Sequence, residues 1–218
     1  MIIGSKQKLL FIGDSITDTG RARPVGEHNG GEGLGTGYVS LVEALLTSTY
    51  PELGIRVVNM GVSGNTVRHL RERWQTDVLD QKPDWLAVMI GINDVWRHFD
   101  RPFMREHHVH EEEYERTLRE LVQEARPGLK GLVLMTPFYI EPNREEPMRA
   151  KMDRYGGIVR KIAEETGAVF VDTQAAFDKV LEHLYPGQLA WDRVHPGRAG
   201  HMVLARAFLN AVGFDWSR

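Results

Sequence analysis

The 218-residue sequence contains no cysteine. Disulfide bonds, thiolate metal sites and cysteine nucleophiles are therefore excluded together. A chain of this length buries about 70% of the surface that it exposes when unfolded, so it can fold without a covalent or metal cross-link. We expect a single domain over residues 1–218.

Long apolar runs and a strong excess of one charge are also missing. No run approaches the about 18 residues needed to cross a membrane, which predicts no membrane partner. The formal net charge is only −3, so the sequence predicts no nucleic-acid partner. No signal-peptide pattern precedes the first apolar run, and the sequence predicts a cytoplasmic protein.

What the chain does contain is a regular alternation of apolar runs and helical patterns. The short continuous runs predict strands at Leu9–Ile12, Arg56–Asn59, Trp85–Ile90, Gly131–Thr136 and Val169–Val171. Helical patterns cover Tyr38–Tyr50, Val67–Leu79, Glu112–Ala125, Met148–Glu165, Ala175–Leu184 and about Pro196–Val212. Continuous apolar strands are typical of a parallel sheet covered on both faces. We therefore predict an α/β protein: a flavodoxin-like three-layer αβα sandwich with a central five-stranded parallel sheet.

Three connections are longer than the predicted fold requires. They are Asp14–Thr36, Gly91–His110 and Pro137–Pro147. Each follows the carboxyl end of a predicted strand, and these ends meet at one edge of a parallel sheet. Ligands of open α/β sheets bind at that edge, so we expect the functional pocket there.

A serine, a histidine and an aspartate supply the groups of a nucleophilic mechanism. Ser15 follows the first predicted strand, and His195 follows Asp192 by three residues. Pro196 suits the first position of a helix, which would place His195 near the helix N-cap, within reach of Asp192. Serine needs a base and a group that orients the base. The alternative reading is that Ser15 caps a helix and that Asp192 and His195 form an ordinary surface pair.

The remaining histidines give weaker signals. His107, His108 and His110 lie in a charged segment, which predicts a solvated loop. His98 and His201 have no recognisable carboxylate to orient them, and we expect them on the surface or on helix faces.

Two loops offer hydrogen-bond donors for a developing oxyanion. Gly64 follows the second predicted strand, where a glycine lets the backbone approach a ligand closely. Asn93 follows the third predicted strand and carries a side-chain amide. The alternatives are a simple turn at Gly64 and a helix cap at Asn93.

These residues together resemble a known enzyme family. The segments Gly13–Ile16, Gly64, Gly91–Asp94 and Asp192–His195 resemble, in order, the four blocks of the SGNH (GDSL) hydrolases. The one departure is Ile16, where the family usually has leucine. The resemblance implies Ser15 as nucleophile, His195 as base and acid, and Asp192 as the orienting carboxylate. It also implies an oxyanion hole built from the backbone N–H groups of Ser15 and Gly64 and the Asn93 amide, with no cofactor and no metal.

A closer likeness points to one group within the family. The stretches Gly20–Pro24, Gly91–Trp96, Met135–Ile140 and Leu189–Gly200 are similar to bacterial cytoplasmic acetylxylan esterases. This likeness implies a small acetylated sugar as the substrate, in particular acetylated xylo-oligosaccharides. It also implies a homo-oligomeric assembly.

Residues around the pocket are candidate substrate contacts. Trp191 adjoins Asp192, and aromatic faces such as those of Trp191 and Tyr185 suit the apolar side of a sugar ring. Asp14 is a third candidate because it adjoins Ser15. The alternative for the two aromatic residues is a place in the core or in an interface.

Three other functions stay open at this point. One is a lipase or thioesterase of the same family. Another is a metal-assisted phosphoesterase that uses Asp14, Asp18, Asp94 and the His107–His110 segment. The third is a ligand-binding module built on the glycine-rich stretch Gly30–Gly37, which matches neither common phosphate-binding spacing.

Overall fold

The computed structural model describes residues 1–28 and 31–218, and its centre is a mostly parallel sheet. The strands are β1 (Lys8–Gly13), β2 (Gly26–Glu27), β3 (Arg56–Asn59), β4 (Trp85–Met89), β5 (Gly131–Met135) and β6 (Val169–Val171). They lie in the order β2-β3-β1-β4-β5-β6. The strand that carries Ser15 at its end is thus in the middle of the sheet.

Helices cover both faces of this sheet. They are α1 (Ser15–Asp18), α2 (Tyr38–Thr49), α3 (Val67–Trp74), α4 (Ile92–Asp100), α5 (Glu111–Ala125), α6 (Pro147–Thr166), α7 (Thr173–Leu181) and α8 (Arg198–Ala211). Helix α8 packs on α2 and α7, whereas α5 packs on α3 and α6. No helix of the part described here is long and apolar enough to cross a membrane. The predicted αβα architecture is confirmed.

The buried strand β1 explains why its sequence is continuously apolar. It pairs in parallel with β3 on one side and β4 on the other. Leu9, Leu10, Phe11 and Ile12 are fully buried, because helices cover the two faces of the sheet. Burying one such side chain stabilises the fold by about 1.5–3 kcal/mol. The strand therefore forms a firm base for the segment that follows it.

The predicted strand count was wrong by one. All five predicted strands are present and run parallel, but the two-residue strand β2 adds an antiparallel edge. Gly26 pairs with Asn59, and Glu27 pairs with Val58. Two residues are too few to show the alternation by which a strand is read from sequence.

A further prediction about the chain near the site was wrong. The segment Gly91–His110 is not one long loop, because α4 occupies nine of its residues. The last helix begins at Arg198 with Gly197 as its N-cap, so His195 lies near the N-cap as predicted, in the loop just before it.

Candidate active site

Ser15 is placed by a sharp turn at the end of β1. It is the first residue of α1, so its backbone N–H has no acceptor within the helix. Gly13 precedes this turn, and a Cβ there would lie 2.4 Å from both the Met89 carbonyl oxygen and Thr17 Oγ1. Only glycine fits in that position, and the turn then presents Ser15 at the carboxyl edge of the sheet.

The side chain of Asp14 stabilises the same turn by a hydrogen bond to its backbone. Its side chain is almost fully buried, and its Oδ1 accepts a hydrogen bond of 3.0 Å from the backbone N–H of Ile16. Burial raises the pKa of Asp14 to about 7, although that hydrogen bond and the charge of His195 act in the opposite direction. We predicted Asp14 as a substrate contact. Its burial favours a role as the N-cap of α1 instead.

Ser15, His195 and Asp192 form a continuous hydrogen-bonded chain. Ser15 Oγ lies 2.9 Å from His195 Nε2, and His195 Nδ1 lies 2.6 Å from Asp192 Oδ2. A carboxylate only accepts, so the proton between His195 and Asp192 belongs to Nδ1. Nε2 is then free to accept the proton of the serine hydroxyl. The arrangement has the geometry of a nucleophile with its general base.

Asp192 is held by the backbone of its own loop. Its Oδ1 accepts hydrogen bonds from the N–H groups of Val194 at 3.0 Å and His195 at 2.8 Å. Partial burial acts to raise the pKa of Asp192, but the hydrogen bonds from His195 and Val194 outweigh it and lower the pKa below its ordinary value. The carboxylate therefore stays ionised and keeps the imidazole of His195 in one orientation.

The bend of this loop depends on Arg193. Its φ of +62° lies in the left-handed region, which costs a non-glycine residue about 1 kcal/mol or more. The Arg193 carbonyl accepts a hydrogen bond of 2.9 Å from Ile140 N, and its guanidinium pairs with Glu141 at 2.5 Å. These contacts tie the loop to the segment after β5 and offset the strain.

Two of the predicted oxyanion donors, the Asn93 amide and the backbone N–H of Gly64, lie in the segments that follow β4 and β3. Asn93, in the first turn of α4, is 2% exposed, and its Nδ2 donates a hydrogen bond of 3.0 Å to the Asn65 carbonyl oxygen. Gly64 has a φ of +81°, and the space around its Cβ position is open. A left-handed backbone beside open space is what a close approach to a ligand requires.

Arg73 forms hydrogen bonds with the end of β1 and with the segment that follows β3. It was not predicted from the sequence as part of the site. Its guanidinium donates to the carbonyl of Gly13 at 2.9 Å, the carbonyl of Met60 at 2.7 Å and Asn65 Oδ1 at 2.7 Å. Carbonyls at the ends of β1 and β3 are thereby fixed relative to the Gly64 loop. Apart from Asp77, four residues further on, its partners lie on segments that only the fold brings together, so no motif marks this arginine.

Asp94 is a second buried carboxyl near the site. Its Oδ1 accepts a hydrogen bond of 3.0 Å from Val67 N, whereas its Oδ2 is buried without a partner among the described residues. Burial is the main reason that the pKa of Asp94 rises to about 7, and the neighbouring Asp14 adds to the rise.

The aromatic residues lie at the outer rim. Trp191 is 86% exposed and Tyr185 is 70% exposed, so neither belongs to the core. The half-buried Trp96 stands edge-on to the ring of His195, with 5.8 Å between ring centroids. Trp96 ends the segment Gly91–Trp96, which carries the closer likeness, but nothing in the sequence marks it as a neighbour of His195.

The prediction of a solvated loop was wrong for His108, whereas His201 lies on a helix, α8, as predicted, but on its buried face. His201 is buried, and its Nδ1 accepts a hydrogen bond of 3.2 Å from Tyr38 N. Burial lowers the pKa of His201 to about 4, so the ring is neutral at pH 7. His108 is also buried, and its ring stacks on that of His98 at 4.4 Å, which fixes the segment after α4.

The structure does not group the residues proposed for a metal-assisted phosphoesterase into a metal site, and the glycine-rich stretch is only partly described. Asp18 pairs with Arg23 at 2.7 Å and accepts from Ser63 Oγ at 2.9 Å. Across residues 1–28 and 31–218, no three histidine or carboxylate side chains are grouped as metal ligands. Gly30, where the predicted glycine-rich stretch begins, lies outside the described residues.

A cavity of about 430 Å³ opens beside Gly64. Its walls are polar and charged, and they include Thr66, His69, Arg97, Arg101 and Glu106. A second cavity, of about 290 Å³, lies between α6 and α7 and contains none of Ser15, Asp192 and His195. Ser15, Asp192 and His195 do not line the first cavity either, but Gly64, a predicted oxyanion donor, does.

Comparison with known proteins agrees with this geometry. The model of the GDSL-like Lipase/Acylhydrolase family matches residues 11–203. The chain belongs to this family. The family resemblance predicted from sequence is confirmed.

Individual relatives of this GDSL-like hydrolase cover its whole length. An acetylxylan esterase from Geobacillus stearothermophilus is 66% identical over 100% of this chain and 99% of its own. A solved catalytic mutant of that organism's acetylxylan esterase Axe2, S15A, has the same identity and coverage with a TM-score of 0.98. LAE5, an alpha/beta hydrolase enzyme from the metagenome of Lake Arreo, Spain, is 54% identical over 98% of each chain, with a TM-score of 0.96.

Proposed function

We propose that this chain is a serine esterase that removes acetyl groups from acetylated carbohydrates, in particular xylo-oligosaccharides. The observation that carries the proposal is the hydrogen-bonded chain from Ser15 Oγ through His195 to Asp192. The 66% identity with an acetylxylan esterase supports the choice of substrate.

The proposed reaction is a two-step acyl transfer. His195 Nε2 takes the proton of Ser15 while Oγ bonds to the acetyl carbon, and the same proton then passes to the departing sugar oxygen. Water attacks the acetyl carbon of the acetyl-serine while His195 Nε2 takes a proton from it. The bond between that carbon and Ser15 Oγ then breaks, His195 returns the proton to Oγ, and acetic acid is released and ionises to acetate. Asp192 stabilises the imidazolium formed in both steps.

The charge that develops on the acetyl oxygen needs fixed donors. We assign them to the backbone N–H groups of Ser15 and Gly64 and to the amide of Asn93. The burial of Asn93 supports this assignment, because a donor that does not reorganise during the reaction stabilises the transition state most.

The walls of the cavity beside Gly64 favour a sugar over a long fatty chain. A lipase needs an extended apolar surface to bury its acyl chain. This cavity is lined instead by groups such as Thr66, His69 and Arg101, which can bind sugar hydroxyls. We therefore place a short-chain acyl esterase ahead of the lipase and thioesterase alternatives.

The test is acetate release from a panel of acetylated xylo-oligosaccharides and longer-chain esters. We expect Ser15→Ala to fold normally and to lose at least about 10⁴-fold in kcat, since removing the nucleophile removes the acyl-enzyme route. A fluorophosphonate should label the wild-type protein and not Ser15→Ala. Substantial turnover by the variant, or a preference for octanoyl esters, would contradict the proposal.

Other expectations from the sequence stay predictions. They are the single domain over residues 1–218, the cytoplasmic location and the homo-oligomeric assembly. The exposed rings of Trp191 and Tyr185 suit either a sugar platform or a contact between subunits. Light scattering, together with sugar binding by a Trp191→Ala variant, distinguishes these two roles.

A further inference from the structure

The amide of Asn93 has a fixed orientation because its two ends face partners of opposite kinds. Its Nδ2 faces the Asn65 carbonyl oxygen at 3.0 Å, and its Oδ1 faces Arg97 Nη2 at 2.8 Å. A carbonyl oxygen only accepts and a guanidinium only donates, so neither contact survives a flip of the amide. One N–H of Nδ2 remains for another acceptor.

Arg97 is itself held in place. It lies one turn after Asn93 on α4, and its side chain is 16% exposed. Its Nη1 pairs with Asp100, and its guanidinium lies over the Trp96 ring at 4.7 Å from the centroid. The same Trp96 ring stands edge-on to His195. The guanidinium therefore keeps one position beside the site.

This contact has two consequences for an oxyanion. If the amide flipped, its oxygen would replace the N–H and repel the developing negative charge. A charged donor on Oδ1 also polarises the amide, and hydrogen bonds with an ionised partner are about twice as strong as neutral ones. Both effects make the free N–H a better donor in the transition state.

We infer that Arg97 is a positioning residue of the oxyanion hole, which fixes and polarises the Asn93 amide through the hydrogen bond to its Oδ1. The inference rests on the proposed function, because it concerns how the same site stabilises its transition state. Arg97 does not touch the reacting atoms. Its effect should therefore appear in kcat and should depend on Asn93.

The first experiment compares variants with an aryl acetate and an acetylated xylo-oligosaccharide. Arg97→Met keeps the length of the side chain and removes the donor, and we expect kcat to fall by about 10–50-fold, less than the loss of the whole donor. KM should stay within about threefold, as for an interaction made in the transition state. Arg97→Lys should recover most of the lost kcat, because lysine retains a charged donor. Arg116→Met, on the exposed face of α5, is the matched control.

The second experiment repeats Arg97→Met in an Asn93→Ala background. If Arg97 acts through the amide, the substitution should change kcat there by less than about twofold. An equal loss in both backgrounds, a kcat near the wild-type value in the single variant, or a rise in KM alone would overturn the inference. Failure of the proposed function is recognised separately, because turnover would then persist in Ser15→Ala.

Discussion

In the proposed active site, the acid–base half around His195 and the oxyanion half around Asn93 differ in exposure and in how they are held. The side chain of His195 is 40% exposed, and its place is set by one loop and one carboxylate. Asn93 is 2% exposed and is bonded on both sides. Arg73 and Arg97 brace this second half, whereas no arginine contacts the His195 ring among the described hydrogen bonds.

The difference agrees with the roles that the proposed mechanism gives to the two halves. In that mechanism His195 exchanges protons with serine, sugar and water, so it needs access to the substrate from the open side. The proposed oxyanion donors have to stay fixed, because any reorganisation during the reaction weakens the stabilisation that they give. Two experiments test whether the two halves separate in this way, and a third tests a buried carboxyl near them.

The largest effect is expected from Asp192→Asn, which disturbs the acid–base half alone. Asparagine can still accept from Val194 N and His195 N, so the loop should keep its shape. The neutral amide no longer holds His195 in the productive tautomer, and kcat should fall by about 10⁴-fold. Steady-state kinetics with acetyl esters measure the loss of kcat, and the Tm shows whether the fold is kept. The control is Asp172→Asn, at the N-cap of α7. A fall in kcat of less than about tenfold in Asp192→Asn would show that the Asp192 carboxylate has little part in orienting His195.

A smaller effect is expected from Asn93→Ala, which disturbs the oxyanion half. One donor is lost while Ser15, His195 and Asp192 keep their contacts, so kcat should fall by about 10²–10³-fold with little change in KM. Fluorophosphonate labelling of Ser15 should persist, since the nucleophile and base are intact. The surface variant Asn143→Ala serves as a control. An unchanged kcat would leave Asn93 with a structural role only.

The smallest effect is a pH dependence of stability from Asp94. Burial raises the pKa of Asp94 to about 7, above the ordinary value of 3.8, so the folded chain binds its proton more tightly than the unfolded chain. Stability should therefore decline as pH rises from about 4 to about 7. Asp94→Asn removes this contribution, and its Tm relative to wild type should increase over the same range. Thermal melts at pH 4.5, 6 and 7.5 measure this difference in Tm, and Asp80→Asn, at an exposed position, is the control. A difference in Tm between Asp94→Asn and the wild type that does not vary with pH would contradict the burial argument.

Sequence reasoning succeeded where the signal is local. β3 and β6 begin and end at the predicted residues, because a short stretch of β-branched and aromatic residues next to turn residues marks a strand. The structure brings Ser15, Asp192 and His195 into one hydrogen-bonded chain, and their catalytic roles stay predictions. Their meeting at one edge followed from the parallel sheet.

The missed features have two different causes. The helix α4 did leave a signal, since Ile92, Val95, Trp96 and Phe99 follow a helical spacing, but the glycine and the polar residues at its start suggested a loop. Arg73 and Arg97 have aspartates at helical spacing, Asp77 and Asp100, but such spacing indicates only an ordinary ion pair. The contact of Arg97 with Asn93 depends on α4, which was not predicted, and the contacts of Arg73 with backbone carbonyls exist only once the chain has folded.

The turn at Gly13 sets the limit within which this enzyme can change. Even a methyl group at residue 13 would collide with the carbonyl of Met89 and the hydroxyl of Thr17. The turn that positions the nucleophile therefore has no room for any residue other than glycine. Laboratory evolution toward bulkier esters should therefore leave residue 13 as glycine in every surviving variant. New specificities should instead accumulate at the open rim around Trp191 and Tyr185, where side chains can be exchanged without moving the hydroxyl.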